Sequence, residues 1–231
     1  MIRFLVLLVA LSMGSCGGSS TPSVHVEKQI REMSQDGFTI STKRFIGTGF
    51  FVSQGVVMTA AHVVADGPEQ ASDQIHPIYV YPRGPKGFRR VAKIIAIDYV
   101  NDIALLKIMH VGGSKIYQFC AKYSYMDWVE ARAFRYPTKE VTAGKIMGFI
   151  GGNANHIRST APVDGGYSGA PLILSRGGCV VGVIQQKEFH VDLEKNTFKT
   201  YSRASHPAIS PKIMSALRKY APGSLLLLDE K

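Results

Sequence analysis

Ala161-Pro162-Val163-Asp164-Gly165-Gly166-Tyr167-Ser168-Gly169-Ala170-Pro171-Leu172 sets one serine between glycines and runs straight into the apolar Leu172-Ile173-Leu174. That order describes a hydroxyl held on a tight turn at the mouth of a buried strand. Gly166 and Gly169 admit backbone angles that a side chain forbids, so successive amides can point inward. The N–H groups of Gly166 and Ser168 then form a pocket for an oxygen that gains negative charge. A glycine-rich turn before a strand is by itself only a loop, and two other stretches decide how this one is read.

Thr59-Ala60-Ala61-His62-Val63-Val64 follows the apolar run Val56-Val57-Met58, and Asn101-Asp102 opens a second run, Ile103-Ala104-Leu105-Leu106. The chain order is therefore His62, Asp102, Ser168. That is one of the known orders for a Ser-His-Asp triad, the one that belongs to the chymotrypsin-type double barrel. T-A-A-H, N-D-I-A-L-L and G-x-S-G-x-P resemble the three catalytic motifs of trypsin-like serine peptidases. Gly47-Thr48-Gly49-Phe50-Phe51-Val52 is similar to the strand that precedes the histidine in bacterial members. The resemblance runs from about Phe45 to Tyr220. It implies an all-β fold of two six-stranded antiparallel β-barrels of chymotrypsin type with a short C-terminal helix, and an active site in the cleft between the barrels.

The 231 residues suffice for one domain of two barrels or for two small domains. An apolar fraction of 45% is that of a globular protein, and 23 glycines suit a fold with many turns. The net charge of +10 favours anionic partners such as lipid headgroups or acidic proteins. No block of basic residues interleaved with aromatics occurs, so no specific nucleic-acid partner is expected.

Residues 1–15 read as a signal peptide. Arg3 supplies a positive charge, and Phe4 to Met13 is an apolar core too short to cross a bilayer. Gly14-Ser15-Cys16, followed by Gly17-Gly18-Ser19-Ser20, resembles a bacterial lipoprotein signal in which Cys16 becomes the lipidated N-terminus, although Met13 stands where leucine is usual. The expectation is an exported protein attached to the bacterial cell envelope through Cys16, or otherwise one that is secreted or periplasmic. Residues 16–37 form a tether and an N-terminal strap, with a short helix or strap over Val24 to Ser34.

From residue 38 onward short apolar runs alternate with turn residues, the pattern of an all-β barrel. The peptidase domain is expected over residues 38–222. Its first barrel, about 38–110, takes strands at Phe38–Phe45, Gly49–Ser53, Val56–Thr59, Ile78–Tyr81, Arg89–Asp98 and Ala104–Ile108. Asp66 to Pro77 is the loop after the histidine, and Gly112-Gly113 marks the linker between barrels. The second barrel, about 116–206, takes strands at Trp128–Pro137, Val141–Phe149, Arg158–Ala161, Ala170–Leu174, Val180–Gln185 and Thr197–Arg203. Apolar and charged residues alternate from Trp128 to Pro137, so one face of that strand is wet. Ser210-Pro211 opens a helix over about 210–221: serine caps it, Ile213, Ala216, Leu217 and Tyr220 share one face, and Pro222-Gly223 stops it. Residues 223–231 are a tail whose Leu225–Leu228 is too short to cross a membrane.

Cys120 and Cys179 either pair as a disulfide, as an exported protein permits, or remain two buried thiols. No Cys/His spacing suggests zinc, and neither metal nor cofactor is expected.

The resemblance implies His62 as general base, Ser168 as nucleophile and Asp102 as the group that holds the imidazole tautomer, with the backbone N–H groups of Gly166 and Ser168 as oxyanion hole. The activity expected is that of an exported serine endopeptidase working on protein or peptide substrates through an acyl-enzyme. The alternatives are a dormant binding or scaffold protein of the same fold, or an esterase. Tyr167 replaces the aspartate that precedes the serine in animal digestive enzymes, and no I-V-G-G-like activation sequence occurs. Bacterial members that need no activating ion pair are thus the closer comparison, and the Tyr167 ring is large enough to crowd the oxyanion loop. Substrate binding is expected from Val163 and Gly165 before the nucleophile and from Ile184, Gln185 and Lys187 after Gly182, where the backbone pairs with the substrate as an added strand. One register of the third pocket wall brings Lys199 to its base, another His206. With Lys187 near the mouth and Asp164 the only acid, cleavage after Arg or Lys is disfavoured, and small apolar or acidic residues are preferred.

Overall fold

The computed structural model describes residues 38–42, 45–65, 77–82, 90–109, 115–135, 138–150, 156–192 and 197–225. The segment read as a signal peptide, Cys16 and the expected tether, the stretch from Val24 to Ser34, most of the loop that begins at Asp66, Gly112-Gly113 and the tail beyond Leu225 lie outside the described residues.

Strands β1 (Phe38–Ser41), β2 (Ile46–Ser53), β3 (Val56–Thr59), β4 (Ile78–Pro82), β5 (Arg90–Asp98) and β6 (Ile103–Ile108) close one antiparallel barrel in the order β1-β2-β3-β6-β5-β4. Strands β7 (Trp128–Arg135), β8 (Thr138–Phe149), β9 (His156–Ser159), β10 (Pro171–Leu174), β11 (Val180–Asp192) and β12 (Thr197–Ser205) close the second in the order β10-β11-β12-β9-β8-β7. The two orders are the same pattern shifted by six strands. Bulges interrupt the registers of β2 with β3, β5 with β6 and β11 with β12, and supply the bends that closure needs. The fold is the expected double barrel.

Phe50–Val52 in β2 and Val56–Met58 in β3 are unbroken apolar runs because both faces are buried there. Phe51 and Val57 point into the first barrel with Ile40. Phe50, Val52 and Met58 point outward, into a core shared with Tyr117, Phe119, Val180 and Val183. Helix α1 (Ala61–Val64) is a single turn directly after β3, and α2 (Pro211–Tyr220) closes the second core with Ile213 and Leu217. The Ser210 hydroxyl accepts the Ile213 N–H at 3.2 Å, so the cap is the one expected. After α2 a 3-10 turn over Pro222–Leu225 seats Leu225 in the same core.

Several boundaries differ from expectation. β1 ends at Ser41 because Thr42 starts a turn: its N–H donates to the Phe45 carbonyl at 2.9 Å, and its hydroxyl accepts the Phe45 N–H at 3.1 Å. β2 therefore begins at Ile46. β11 continues seven residues past Gln185, to Asp192, because β12 pairs with it along that length. Cys120 and Cys179 form a disulfide with 5.2 Å between Cα atoms, which settles the open choice. It ties the segment after the inter-barrel linker to the start of β11, where the Cys120 N–H also donates to the Val180 carbonyl at 2.9 Å.

Candidate active site

Thr59, at the end of β3, pairs with Ala104, near the start of β6. Residues just beyond those two ends must meet, and they are His62 on α1 and Asp102 in the β5–β6 turn. Asp102 adopts φ 51°, a left-handed conformation that its short polar side chain tolerates. Its carboxylate then holds the histidine at two points. Oδ1 accepts the His62 backbone N–H at 2.8 Å, and Oδ2 lies 2.7 Å from the ring Nδ1. A carboxylate only accepts, so Nδ1 carries the proton and the neutral ring keeps its lone pair on Nε2. The edge of Phe45 meets the imidazole at 6.4 Å between centroids.

The turn that holds Asp102 is itself anchored. Asp98 accepts the Asn101 backbone N–H at 3.0 Å and its side-chain amide at 2.8 Å. Partial burial alone would raise the Asp98 pKa, but hydrogen bonds from Ser210 and Asn101 outweigh it and hold the carboxyl below its ordinary range. The cap of α2 and the turn bearing Asp102 thus share one carboxylate.

Ser168 comes from the second barrel, on the loop between β9 and β10. The Tyr167 N–H donates to the Asp164 carbonyl at 3.1 Å, closing a turn in which Gly166 takes φ 91°, the angle that the third position of a type II turn requires. Gly169 follows at φ 83°, and a Cβ there would lie 2.2 Å from both the Thr48 carbonyl oxygen and Thr59 Oγ1. Only glycine fits. The Tyr167 ring is buried in the second-barrel core cluster with Val163, Ala170 and Leu172, and the residue also lines the cleft that holds Ser168. The Ser168 hydroxyl donates to the Gln185 carbonyl at 3.2 Å, and no hydrogen bond to His62 occurs among the described residues.

Two residues tie the halves together in ways the sequence did not disclose. Thr48, fully buried on β2, donates its hydroxyl to the Gly166 carbonyl at 2.8 Å and accepts the Phe134 N–H at 2.9 Å. Its own N–H donates to the Ser168 carbonyl at 2.8 Å. Gln185, expected as a substrate contact, also donates through its side-chain amide to the Asn101 carbonyl beside Asp102. In the sequence Thr48 stands only as part of the Gly47-Thr48-Gly49 motif, which gives the residue no role of its own.

His62, Asp102 and Ser168 open onto one cleft of about 530 Å³. Val163, Gly165, Ile184, Gln185 and Lys187 all line it, with Asp164 and Gln186 beside them. The last strand takes in Tyr201-Ser202-Arg203, but neither Lys199 nor His206 lines the cleft. Ala204 pairs with Ile184 and Ser202 with Lys187, which leaves Lys199 opposite His190, far along the hairpin. His206 lies past the end of β12, buried between the rings of Phe119 and Tyr123.

A family model described as a trypsin-like peptidase domain matches residues 47–183. The uncharacterized protein y4bJ of Sinorhizobium fredii is 32% identical over 151 residues, which make up 61% of this chain and 22% of that protein. The chain thus spans about a fifth of the length of this curated relative. Among solved structures, the serine endoprotease from Yersinia pestis superposes with a TM-score of 0.60 at 20% identity, over 84% of this chain and 66% of that one. Rv3671c from M. tuberculosis, a serine-to-alanine mutant in an inactive form, superposes with a TM-score of 0.57 at 22% identity, over 89% of this chain and 96% of that one. Identities this low speak to the fold alone. The family model, however, covers more than half of the sequence and includes His62, Asp102 and Ser168, and the chain belongs to the trypsin-like peptidase domain family.

Proposed function

We propose that this protein is a serine endopeptidase that cleaves peptide bonds in the cleft between its barrels through Ser168, His62 and Asp102. Support comes above all from the Asp102 carboxylate, whose two contacts leave the His62 lone pair on Nε2 in the cleft that holds Ser168. For attack the Ser168 hydroxyl leaves the Gln185 carbonyl and donates to that lone pair instead. Ser168 Oγ then attacks the substrate carbonyl carbon while its proton passes to Nε2, and Asp102 stabilises the resulting imidazolium. The carbonyl oxygen takes up negative charge opposite the N–H groups of Gly166 and Ser168. Collapse breaks the C–N bond, and Nε2 returns the proton to the leaving amine. Water attacks the acyl ester next, gives a proton to Nε2 and restores the Ser168 hydroxyl.

The Ser168–Gln185 hydrogen bond also favours a second reading, a dormant binding protein with an undocked nucleophile. A fluorophosphonate probe separates the two. Covalent labelling lost in Ser168→Ala supports the peptidase, together with a fall in turnover of about 10³-fold or more. An unlabelled wild-type protein would leave dormancy as the better reading.

Besides the triad, the charged residues that line the cleft are Asp164 and Lys187, with the apolar Val163 and Ile184 beside them. Small apolar or acidic residues are therefore expected before the cleaved bond, and a peptide-library profile dominated by Arg or Lys would overturn this. Export with lipid attachment at Cys16 is part of the same proposal. Cys16→Ser should release the protein from membranes or block its processing, whereas a mature N-terminus elsewhere, read by mass spectrometry, would remove the anchor.

A further inference from the structure

β11 is 13 residues long, and its partner β10 leaves it at Val183. Beyond that point β12 flanks one side, and the other edge has no strand partner among the described residues. The Ser168–Gln185 hydrogen bond shows which groups face this open edge, because the Gln185 carbonyl points to the cleft side. Alternation along an extended chain brings the N–H and C=O groups of Lys187, Phe189 and Val191 to the same edge.

The side chains of Lys187, Phe189 and Val191 share one face, and the pairing of Val191 with Phe198 adds a fourth. Phe189 is 70% exposed and Phe198 76%, so this hairpin presents aromatic surface to solvent. Lys187 Nζ sits 5.3 Å over the Phe189 ring and makes no ion pair among the described residues. On the opposite face Glu188 is taken up by Arg158 at 3.0 Å and Arg203 at 4.0 Å, which leaves the Lys187 charge uncompensated. A depression of about 470 Å³ lies on the Glu188 face of the same hairpin, lined by Arg158, Glu188 and Tyr201, and meets the catalytic cleft at Gln186 and Lys187.

We propose that β11 from Lys187 to Val191 is a docking edge for the substrate segment upstream of the cleaved bond, pairing with it as an added strand and placing a carboxylate opposite Lys187 and apolar side chains opposite Phe189 and Val191. This rests on the peptidase reading and extends it. The Gln185 carbonyl, beside the nucleophile, receives the N–H of the residue whose carbonyl is attacked. Upstream residues then run antiparallel to β11: the third meets Lys187, the fifth Phe189 and the seventh Val191. Backbone pairing supplies affinity, and alternate side chains supply selectivity.

The test compares matched peptides carrying three or seven residues before the cleaved bond, with aspartate third and leucine fifth and seventh. Lengthening should raise kcat/KM for the wild type by about tenfold or more, as partial burial of two apolar side chains implies. The gain, read as a ratio within each protein, should fall to near one in Phe189→Thr/Phe198→Thr. Lysine for aspartate at the third position should lower kcat/KM for both lengths. A wild-type gain below twofold, or one that survives in the double variant, overturns the proposal. Binding of the same fluorescent peptides to Ser168→Ala requires no catalysis, so it decides the matter even if the wild type proves inactive: length-independent binding overturns the docking edge, and hairpin-dependent binding supports it. Hairpin-dependent sedimentation with anionic vesicles, without a length effect on peptides, would assign this face to a membrane and likewise overturn it.

Discussion

Thr48, on the first barrel, donates its hydroxyl to the carbonyl of Gly166 on the second at 2.8 Å. The bond fixes the peptide plane just before Tyr167, and the Thr48 N–H fixes the Ser168 carbonyl one residue beyond. β2 therefore grips both ends of the short segment that carries the nucleophile. The cleft geometry is a property of the contact between barrels rather than of either barrel alone.

Thr48→Val tests this directly, since it keeps the branched shape and removes the hydroxyl. The Phe134 N–H and the Gly166 carbonyl then lose their partner in a buried site, which costs about 1–3 kcal/mol. Chemical denaturation should show that loss, and fluorophosphonate labelling of Ser168 should slow. Thr48→Ser should restore both. Unchanged stability and labelling in the valine variant would place the control of the loop elsewhere.

His206 makes stability depend on acid. It is 3% exposed, its Nδ1 accepts the Ala208 N–H at 3.2 Å, and Nε2 lies towards the Cys120 backbone without a well-formed hydrogen bond. Desolvation is the largest cause of its shift and lowers the pKa to about 4. The folded value lies below the unfolded one, so the neutral ring stabilises the fold above about pH 6.5, and that contribution is lost as pH falls towards 4. The amount at stake is about 3 kcal/mol. Urea midpoints at pH 7 and pH 4.5 should differ accordingly, and His206→Phe should flatten the difference. An equally steep acid loss in that variant would assign the effect to other groups.

The disulfide spans 59 residues, from the segment after the linker to the start of β11. Closing a loop of that length restricts the unfolded chain by about 4 kcal/mol in the chain-entropy treatment. Cys120→Ser/Cys179→Ser should lower the denaturation midpoint, and reductant should bring the wild type to the same value. If reductant shifts only the wild type, the bond itself is the cause.

The double barrel was legible because its chemistry is local. Apolar runs such as Val56–Thr59 and Ile103–Ile108 carry strands, and Ser210-Pro211 carries its own cap. The hairpin past Gln185 was not, because Gln186, Glu188 and His190 break the apolar pattern and both faces of that hairpin meet solvent or shallow clefts. A period-two signal needs one buried face, and here there is none. The histidine, aspartate and serine could be named from their flanking motifs. Thr48 could not, since its partners lie 86 and 118 residues away and no spacing reports them. Pairing of Cys120 with Cys179 stayed open for the same reason.

Asp102→Asn isolates the tautomer argument. Asparagine tolerates the left-handed backbone as readily as aspartate, so the turn at φ 51° should hold. Its carbonyl oxygen can still accept the His62 backbone N–H now received by Oδ1. The amide NH₂ then faces Nδ1 as a donor, which favours the ring with its proton on Nε2 and removes the lone pair that Ser168 needs. The positive charge formed during attack also loses its compensating carboxylate. Turnover should fall by about 10³–10⁴-fold near neutral pH while the thermal midpoint moves little. A crystal structure should show His62 in place with Nε2 as donor. Near-normal turnover with the histidine still seated would mean that Asp102 does not set the protonation of His62, and the proposed mechanism would fall with it.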